Sequence, residues 1–292
     1  MVSGPRGGAT PWVTLLTGDP DAARDFYGPL LNWTFDSGED AGTVWRALDA
    51  EGAPVALIGR SHAGTRGSGI WAPCFEVGDA DFCAARIRAH GGTVAVGPLP
   101  FLGGRRVLAA DRHGTPFSVR QGPEGRTSCR QPPYGRGARP ETARYSLHTR
   151  DVVETAAFYS AVLCAAGPGP VGAGVTSGTY GDETTLSRDG LRLMGLVPLP
   201  RESTVGSACW QPEFVVADVA GRTARAVTLG ATLVTDGTES TAGTGTPSGV
   251  PGPDGPGVPL GAGTPGGPKA GAGRALLRAP DGTVFALATT RP

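Results

Sequence analysis

The sequence predicts an α+β fold made of two tandem modules of one design. Three observations carry this. The stretch Asp19-Pro20-Asp21-Ala22-Ala23-Arg24-Asp25-Phe26-Tyr27 recurs as Asp151-Val152-Val153-Glu154-Thr155-Ala156-Ala157-Phe158-Tyr159, with a Phe-Tyr pair seven residues after each leading aspartate. Phe75-Glu76-Val77-Gly78-Asp79 recurs as Phe214-Val215-Val216-Ala217-Asp218, and a glycine turn follows twelve residues later in both, at Gly91 and Gly230. Asp111-Arg112-His113-Gly114-Thr115-Pro116-Phe117 matches Ala279-Pro280-Asp281-Gly282-Thr283-Val284-Phe285. Matches that keep their order through both halves mark an internal repeat.

Each module reads strand, helix, several strands, helix, closing strands. The first opens with Trp12 to Thr17, whose alternation puts Trp12, Thr14 and Leu16 on one face and Val13 and Leu15 on the other. Asp19 is an N-cap with Pro20 at the first helical position. Gly28-Pro29 is expected to end that helix early. Trp33 to Phe35, Val44 to Leu48 and Pro54 to Ile58 read as strands, as does Ile70 to Val77. A helix from Asp79 to His90 follows, then strands at Thr93–Val96, Arg106–Ala110 and Pro116–Gln121. In the second module Asp151 and Glu154 have capping-box spacing. Tyr180–Leu186 and Leu191–Val197 read as strands. Phe214–Val216, a helix from Asp218, and Thr232–Val234 complete the pattern.

Two segments break the repeat. Residues 122–142, rich in Gly, Pro and Arg without periodicity, read as a linker between modules at 10–121 and 143–289. From the repeated phenylalanine to the glycine of the closing turn is 39 residues in the first module (75 to 114) and 68 in the second (214 to 282). The excess of 29 falls in 236–273, whose Gly, Pro, Thr and Ser cannot bury enough surface to offset ordering entropy, so a disordered insert is expected.

Composition narrows the function classes. A chain of 292 residues is long enough for two cores. A formal net charge of zero gives no global field toward nucleic acid or anionic membrane. No run approaches the roughly 20 apolar residues of a membrane span, and Met1–Thr10 lacks the apolar core of a signal peptide. Five cysteines with no C-x-x-C pair argue against both a disulfide framework and a zinc site, and fit a reducing cytoplasm. Gly261 to Gly266 matches a dinucleotide fingerprint by letter, but it follows no strand and Pro265 and Pro268 block the required helix.

At the repeated residues the chain resembles the vicinal oxygen chelate superfamily, also called the glyoxalase/bleomycin-resistance/dioxygenase family. The resemblance implies modules of paired βαβββ units, each module forming a curved mixed sheet with its helices outside. It also implies positions at which enzymes of the family hold a divalent metal. Here these fall at Trp12, Ala72 and Ser118 in the first module and at Arg144, Gln211 and Ala286 in the second. Only Gln211 could ligate, whereas catalytic divalent metals take three or four imidazole, carboxylate or thiolate donors. A two-residue shift brings in Ser146, His148 and Glu213 without a third strong donor, leaving His148 and Glu213 as the candidate catalytic pair. No metal or other cofactor is expected. His62 and His90 read as solvent-facing, His113 occupies a turn position that commonly takes Asp, and Cys74 and Cys83 read as small core residues.

Tryptophan stands where ligands are absent. Trp33 and Trp71 read as core, while Trp12 and Trp45 are weighed between core and a ligand pocket on the concave sheet face, where flat aromatic walls suit flat ligands. Thr14, Arg46, Arg144, His148 and Gln211 join them as candidate ligand-binding residues, with Asp49, Arg105 and Arg106 as further polar anchors at the pocket mouth. The expected role is metal-free binding of a hydrophobic or aromatic small molecule by a cytoplasmic protein. Such a protein would sequester a drug or serve antibiotic biosynthesis, and a homodimer is compatible with the sequence. The alternative the resemblance implies is an enzyme, a hydroxylase, lyase or isomerase, acting on such a molecule.

Overall fold

The computed structural model describes residues 13–37, 44–61, 69–101, 103–122, 143–163, 175–180, 183–188, 191–199, 208–234 and 273–289. Trp12, His62, Cys129, Cys164 and nearly all of the expected linker and insert lie outside the described residues.

The first module runs β1 (Val13–Thr17), α1 (Pro20–Leu31), β2 (Thr34–Ser37), β3 (Val44–Leu48) and β4 (Pro54–Arg60). It continues with β5 (Ile70–Val77), α2 (Ala80–Ala89), β6 (Thr93–Phe101), β7 (Gly104–Ala110) and β8 (Pro116–Gln121). The second repeats this as β9 (Ala143–Thr149), α3 (Val152–Leu163), β10 (Thr176–Tyr180), β11 (Glu183–Arg188) and β12 (Leu191–Pro198). It ends with β13 (Cys209–Val215), α4 (Val219–Thr228), β14 (Thr232–Leu233), β15 (Arg274–Arg278) and β16 (Val284–Ala288). Two eight-stranded mixed sheets result, ordered β2-β3-β4-β1-β5-β8-β7-β6 and β10-β11-β12-β9-β13-β16-β15-β14. The orders correspond strand for strand, so the tandem design is a structural fact.

The caps behave as their residue types dictate. Asp19, Asp79 and Asp218 each accept a hydrogen bond from the amide three residues on, at 2.9–3.1 Å. Asp151 does the same for the Glu154 amide at 2.7 Å. The Glu154 carboxylate, expected to close a capping box, instead reaches the other module and pairs with Arg112 at 2.6 Å.

Helix α1 does not stop at Gly28-Pro29; it runs through Pro29 to Leu31 and ends on Asn32 in the left-handed region (φ 56°). Burial and capping decide this. Leu30, the residue after the expected stop, is fully buried, and Arg222 of α4 donates to the Leu30 carbonyl at 2.7 Å and to Asn32 Oδ1 at 3.2 Å. A proline this near the C-terminus removes a single intrahelical bond, which these contacts offset.

The helices lie between the two sheets, and each module's first helix packs on the other module. The ring of Phe26 on α1 lies 6.0 Å from Phe285, and that of Tyr27 lies 5.6 Å from Phe285 and 6.3 Å from Phe214. Reciprocally, Phe158 on α3 lies 6.1 Å from Phe117, while Tyr159 lies 5.3 Å from Phe117 and 6.1 Å from Phe75. The hydroxyls follow the same exchange. Tyr27 meets Thr283 Oγ1 at 2.9 Å, and Tyr159 donates to Asp111 Oδ2 at 3.2 Å. Burial raises both phenol pKa values further, with the nearby Asp281 and Asp111 carboxylates adding to it. The repeated Phe-Tyr pair is therefore the joint between modules, inside one continuous hydrophobic core.

Candidate functional site

With the described helices on one side, each sheet has a second face that none of them covers. Alternation assigns the side chains. On β1, Val13 and Leu15 enter the core, so Thr14 and Leu16 point to the helix-free face. Register extends this assignment: Thr14 lies opposite Leu57 and Ala72, Leu16 opposite Ile70, and Cys74 opposite Ser118. Leu108 lies opposite Ser118 and Val96, and Arg106 opposite Arg120 and Leu99.

Arg106 organises this face. Its guanidinium donates to Thr14 Oγ1 at 3.2 Å and to Ser118 Oγ at 3.3 Å, and sits 4.9 Å from the Phe101 ring centroid. Strands β7 and β1 are three steps apart in the sheet, about 14 Å if it were flat. One arginine spans them because the sheet curls over this face, which also explains why Thr14, Ala72 and Ser118 are buried with no helix above. Around the buried centre, four large apolar residues are exposed: Ile70 (45%), Val96 (44%), Leu99 (52%) and Leu108 (39%). Among the described residues only two other large hydrophobics are exposed, both on helices. An apolar patch of this kind around a polar centre marks a binding surface more often than chance exposure does.

The tryptophan expectation needs correction. Trp45 pairs with the buried Ile58 on the helix side of the sheet and lies 3.7 Å beneath the guanidinium of Arg24 on α1. Its neighbour Arg46, opposite Leu57, takes the helix-free side, where it is engaged with Asp36 at 2.6 Å. Alternation forces the two apart, and the bulky ring goes to the helix layer. Trp71 and Trp210 are core residues, and Trp33 stacks on Tyr27. Cys83 is buried as expected, but Cys74 is half-buried on the helix-free face. Arg105 points to the helix side and pairs with Asp81. A groove beside α1, between Arg24, Asn32, Trp33 and Phe35, is a shallow surface feature on the helix side.

The second module presents a different chemistry on the corresponding face. Arg144, Ser146 and His148 point there from β9, and Cys209, Gln211 and Glu213 from β13. The charges are already matched. Glu213 accepts from Arg274 Nε at 2.8 Å, with Arg144 3.8 Å away. Glu183 takes Arg192 at 2.6 Å and the Ser146 hydroxyl at 2.8 Å. His148 hydrogen-bonds Gln211, and its Nε2 is buried without a partner. Burial lowers its pKa below the ordinary 6.5, and Arg274 lowers it further, against opposing contributions from Glu183 and Gln211. His148, Gln211 and Glu213 share one face, and Glu213 serves there as the counter-ion of arginines.

The metal positions implied by the resemblance can be tested on these donors. Ala72, Ser118 and Ala286 carry no strong ligand, and guanidinium groups from Arg144 and Arg274 flank Glu213 where a dication would need open carboxylate oxygens. Among the described residues no group of three or more His, Cys, Asp or Glu could hold a metal ion. These residues do not fit a divalent metal. His90 and His113 are exposed, His113 lying 3.4 Å from Glu154. No helix among the described residues is long and apolar enough to cross a membrane.

The sequence pattern places Arg106 only among the pocket-mouth anchors and does not mark Ile70, Leu99, Leu108, Glu183, Arg192 or Arg274. The signal was present for Arg106: it and Arg274 stand at the same place in the two repeats, two residues before the leucine opposite Ser118 or Ala286.

Comparison with known proteins agrees with this architecture. Residues 10–119 match the model of the Glyoxalase/Bleomycin resistance protein/Dioxygenase superfamily. Anthracycline biosynthesis protein DauV of Streptomyces sp. (strain C5) is 38% identical over 117 residues, covering 38% of this chain and 41% of that protein. Anthracycline biosynthesis protein DnrV of Streptomyces peucetius is 37% identical over 123 residues, covering 40% and 43%. The matches thus span about two-fifths of these relatives' length. The Mn(II)-bound glyoxalase from Novosphingobium aromaticivorans has the same fold with a TM-score of 0.55 at 16% identity, over 96% of this chain and 81% of that one. Residues 10–119 are thus a domain of the glyoxalase/bleomycin resistance protein/dioxygenase superfamily, and the second module repeats that domain's strand order.

Proposed function

We propose that the helix-free face of the first module binds a flat, apolar small molecule without a metal, and that the protein sequesters or presents it. The observation carrying this reading is the gathering of Ile70, Val96, Leu99 and Leu108 on one curled face around Arg106. Covering such residues with a ligand removes apolar surface from water, worth roughly 25 cal/mol per Å² before the costs of association. The relatives named for anthracycline biosynthesis support a planar aromatic ligand and a role in antibiotic biosynthesis or resistance. Of the residues named from sequence, Thr14 belongs to this site. Trp45 and Arg46 do not contribute free groups to it.

Titration calorimetry against a panel of planar polyketide-like and smaller aromatic compounds tests the proposal. Saturable binding is expected, weakened at least tenfold by Leu99→Ser together with Leu108→Ser. Binding that survives both changes places the ligand elsewhere and overturns the reading.

A second reading, an enzyme of the same superfamily, is favoured by one observation. The buried Nε2 of His148 has no hydrogen-bond partner and burial favours the neutral imidazole, so the ring offers a proton acceptor at the second module's face. Turnover of a bound panel member that is lost in His148→Gln would establish it; unchanged ligand after prolonged incubation would exclude it for that compound.

A further inference from the structure

We infer that the ligand of the first module's helix-free face is bound as an anion, its ionised oxygen held by Arg106 with Thr14 and Ser118. This rests on the reading above, that an apolar small molecule occupies this face, and it adds the chemical class: a flat apolar molecule bearing a carboxylate, phenolate or enolate.

Three features of Arg106 lead there. Its two hydrogen bonds go to neutral hydroxyls, at 3.2 and 3.3 Å, and its Nε is buried without a partner. Among the described residues it pairs with no carboxylate. Its cross-strand neighbour is Arg120, a second cation, and like charges directly opposite one another destabilise a sheet. Among the described residues the single carboxylate in that row, Glu76, lies opposite Arg120 on the far side, one strand further from Arg106. The row therefore carries two guanidiniums and one carboxylate, with the surplus positive charge on the side of the exposed Leu99 and Leu108.

The second module serves as an internal control. Register places Arg274 where the first module has Arg106, and Glu213 where it has Cys74. There the carboxylate is supplied by the chain: Glu213 accepts from Arg274 at 2.8 Å. The same arginine is thus neutralised in one module and left without its counter-charge in the other, because a half-buried thiol stands in place of the acid. A ligand oxygen would complete the first module as Glu213 completes the second. Charge-assisted hydrogen bonds of this kind are about twice as strong as neutral ones, and apolar walls that exclude water strengthen them further. The Thr14 and Ser118 hydroxyls hold the guanidinium in place; Ser118 donates its own proton to the Pro73 carbonyl, while the Thr14 proton can turn toward the same oxygen.

The test uses the full chain and two probes of equal shape, 2-naphthoate and 2-naphthamide, measured by calorimetry at pH 7.5. The carboxylate is expected to bind at least tenfold more tightly. Arg106→Met should abolish that preference while changing naphthamide affinity less than threefold. Cys74→Glu, which gives the first module the acid of the second and leaves Arg106 in place, should weaken naphthoate binding at least tenfold and spare naphthamide. Equal affinity for the two probes in the native chain, or a preference that persists in both variants, overturns the inference while leaving the apolar site intact. Failure of either probe to bind overturns it as well. Failure of the underlying reading has a different signature: Leu99→Ser and Leu108→Ser would leave both affinities unchanged.

Discussion

Replacing Phe158 by alanine should destabilise the module to which it does not belong in sequence. Phe158 is 3% exposed, lies on α3 of the second module, and packs its ring edge-on against Phe117 of β8 in the first at 6.1 Å, beside Tyr159 at 5.1 Å. Truncating a buried phenylalanine removes its transfer free energy and leaves a cavity, together about 3–5 kcal/mol. In a chain with this much ordered structure each kcal/mol lowers the melting midpoint by roughly 2–4 °C, so a fall of roughly 6–20 °C is expected. Because the lost contacts cross the modules, the loss should appear on both sides of the joint. Circular dichroism gives the midpoint, and hydrogen exchange of peptides from β8 and β16 reports the two modules separately. A single transition with both peptides losing protection together is expected. Loss of less than about 1 kcal/mol, or weakened protection in β16 with β8 untouched, would refute the account of a shared core.

Three further outcomes follow from the described contacts. Tyr159→Phe removes a buried hydrogen bond to the Asp111 carboxylate and should cost about 1.5–3 kcal/mol, more than Tyr27→Phe, whose partner Thr283 is neutral; urea denaturation of the two variants ranks them. His148 has its folded pKa lowered, so the unfolded chain binds its proton more readily. The stability from keeping it neutral is complete above about pH 6.5 and declines as pH falls through that value toward the folded pKa, and His148→Gln should flatten the urea midpoint across that window. Protein produced in metal-supplemented medium should carry no stoichiometric zinc, nickel, iron or manganese by elemental analysis, since Ala72, Ser118, Arg144 and Ala286 stand where donors are required.

Much of the fold was legible because the chain states it twice. The aspartate caps, the Phe-Tyr pairs and the Gly-Thr turns fix where helices start and where sheets close, and the described elements follow them. What the pattern could not say is which sheet each Phe-Tyr pair faces. An apolar stripe specifies burial and leaves its partner open, so the packing of α1 and α3 against the other module's phenylalanines, besides their own sheets, emerged only in three dimensions. Pro29 shows the same limit, since its local preference was overridden by Leu30 in the core and by Arg222 from a helix 190 residues away. The site was harder. Alternation separates Trp45 from Arg46 but does not name the inward face, and the aromatic ring drew attention that belonged to Arg106. The distinguishing fact at Arg106 is that no carboxylate among the described residues pairs with it, and its strand neighbours are read from register.

The reciprocal seating of Phe26-Tyr27 and Phe158-Tyr159 also bears on how the two faces came to differ. Two separate copies of one module could form the same joint, but every substitution would then appear on both sides at once. Covalent linkage keeps the halves at high effective concentration and frees them from that constraint. One half can then seal its face with Glu213 and Arg274, while the other keeps Cys74 and an open arginine. The shared interior holds the pair together, and each outer surface is free to acquire a separate task. Asymmetry in ligand chemistry is thereby obtained from a symmetric skeleton.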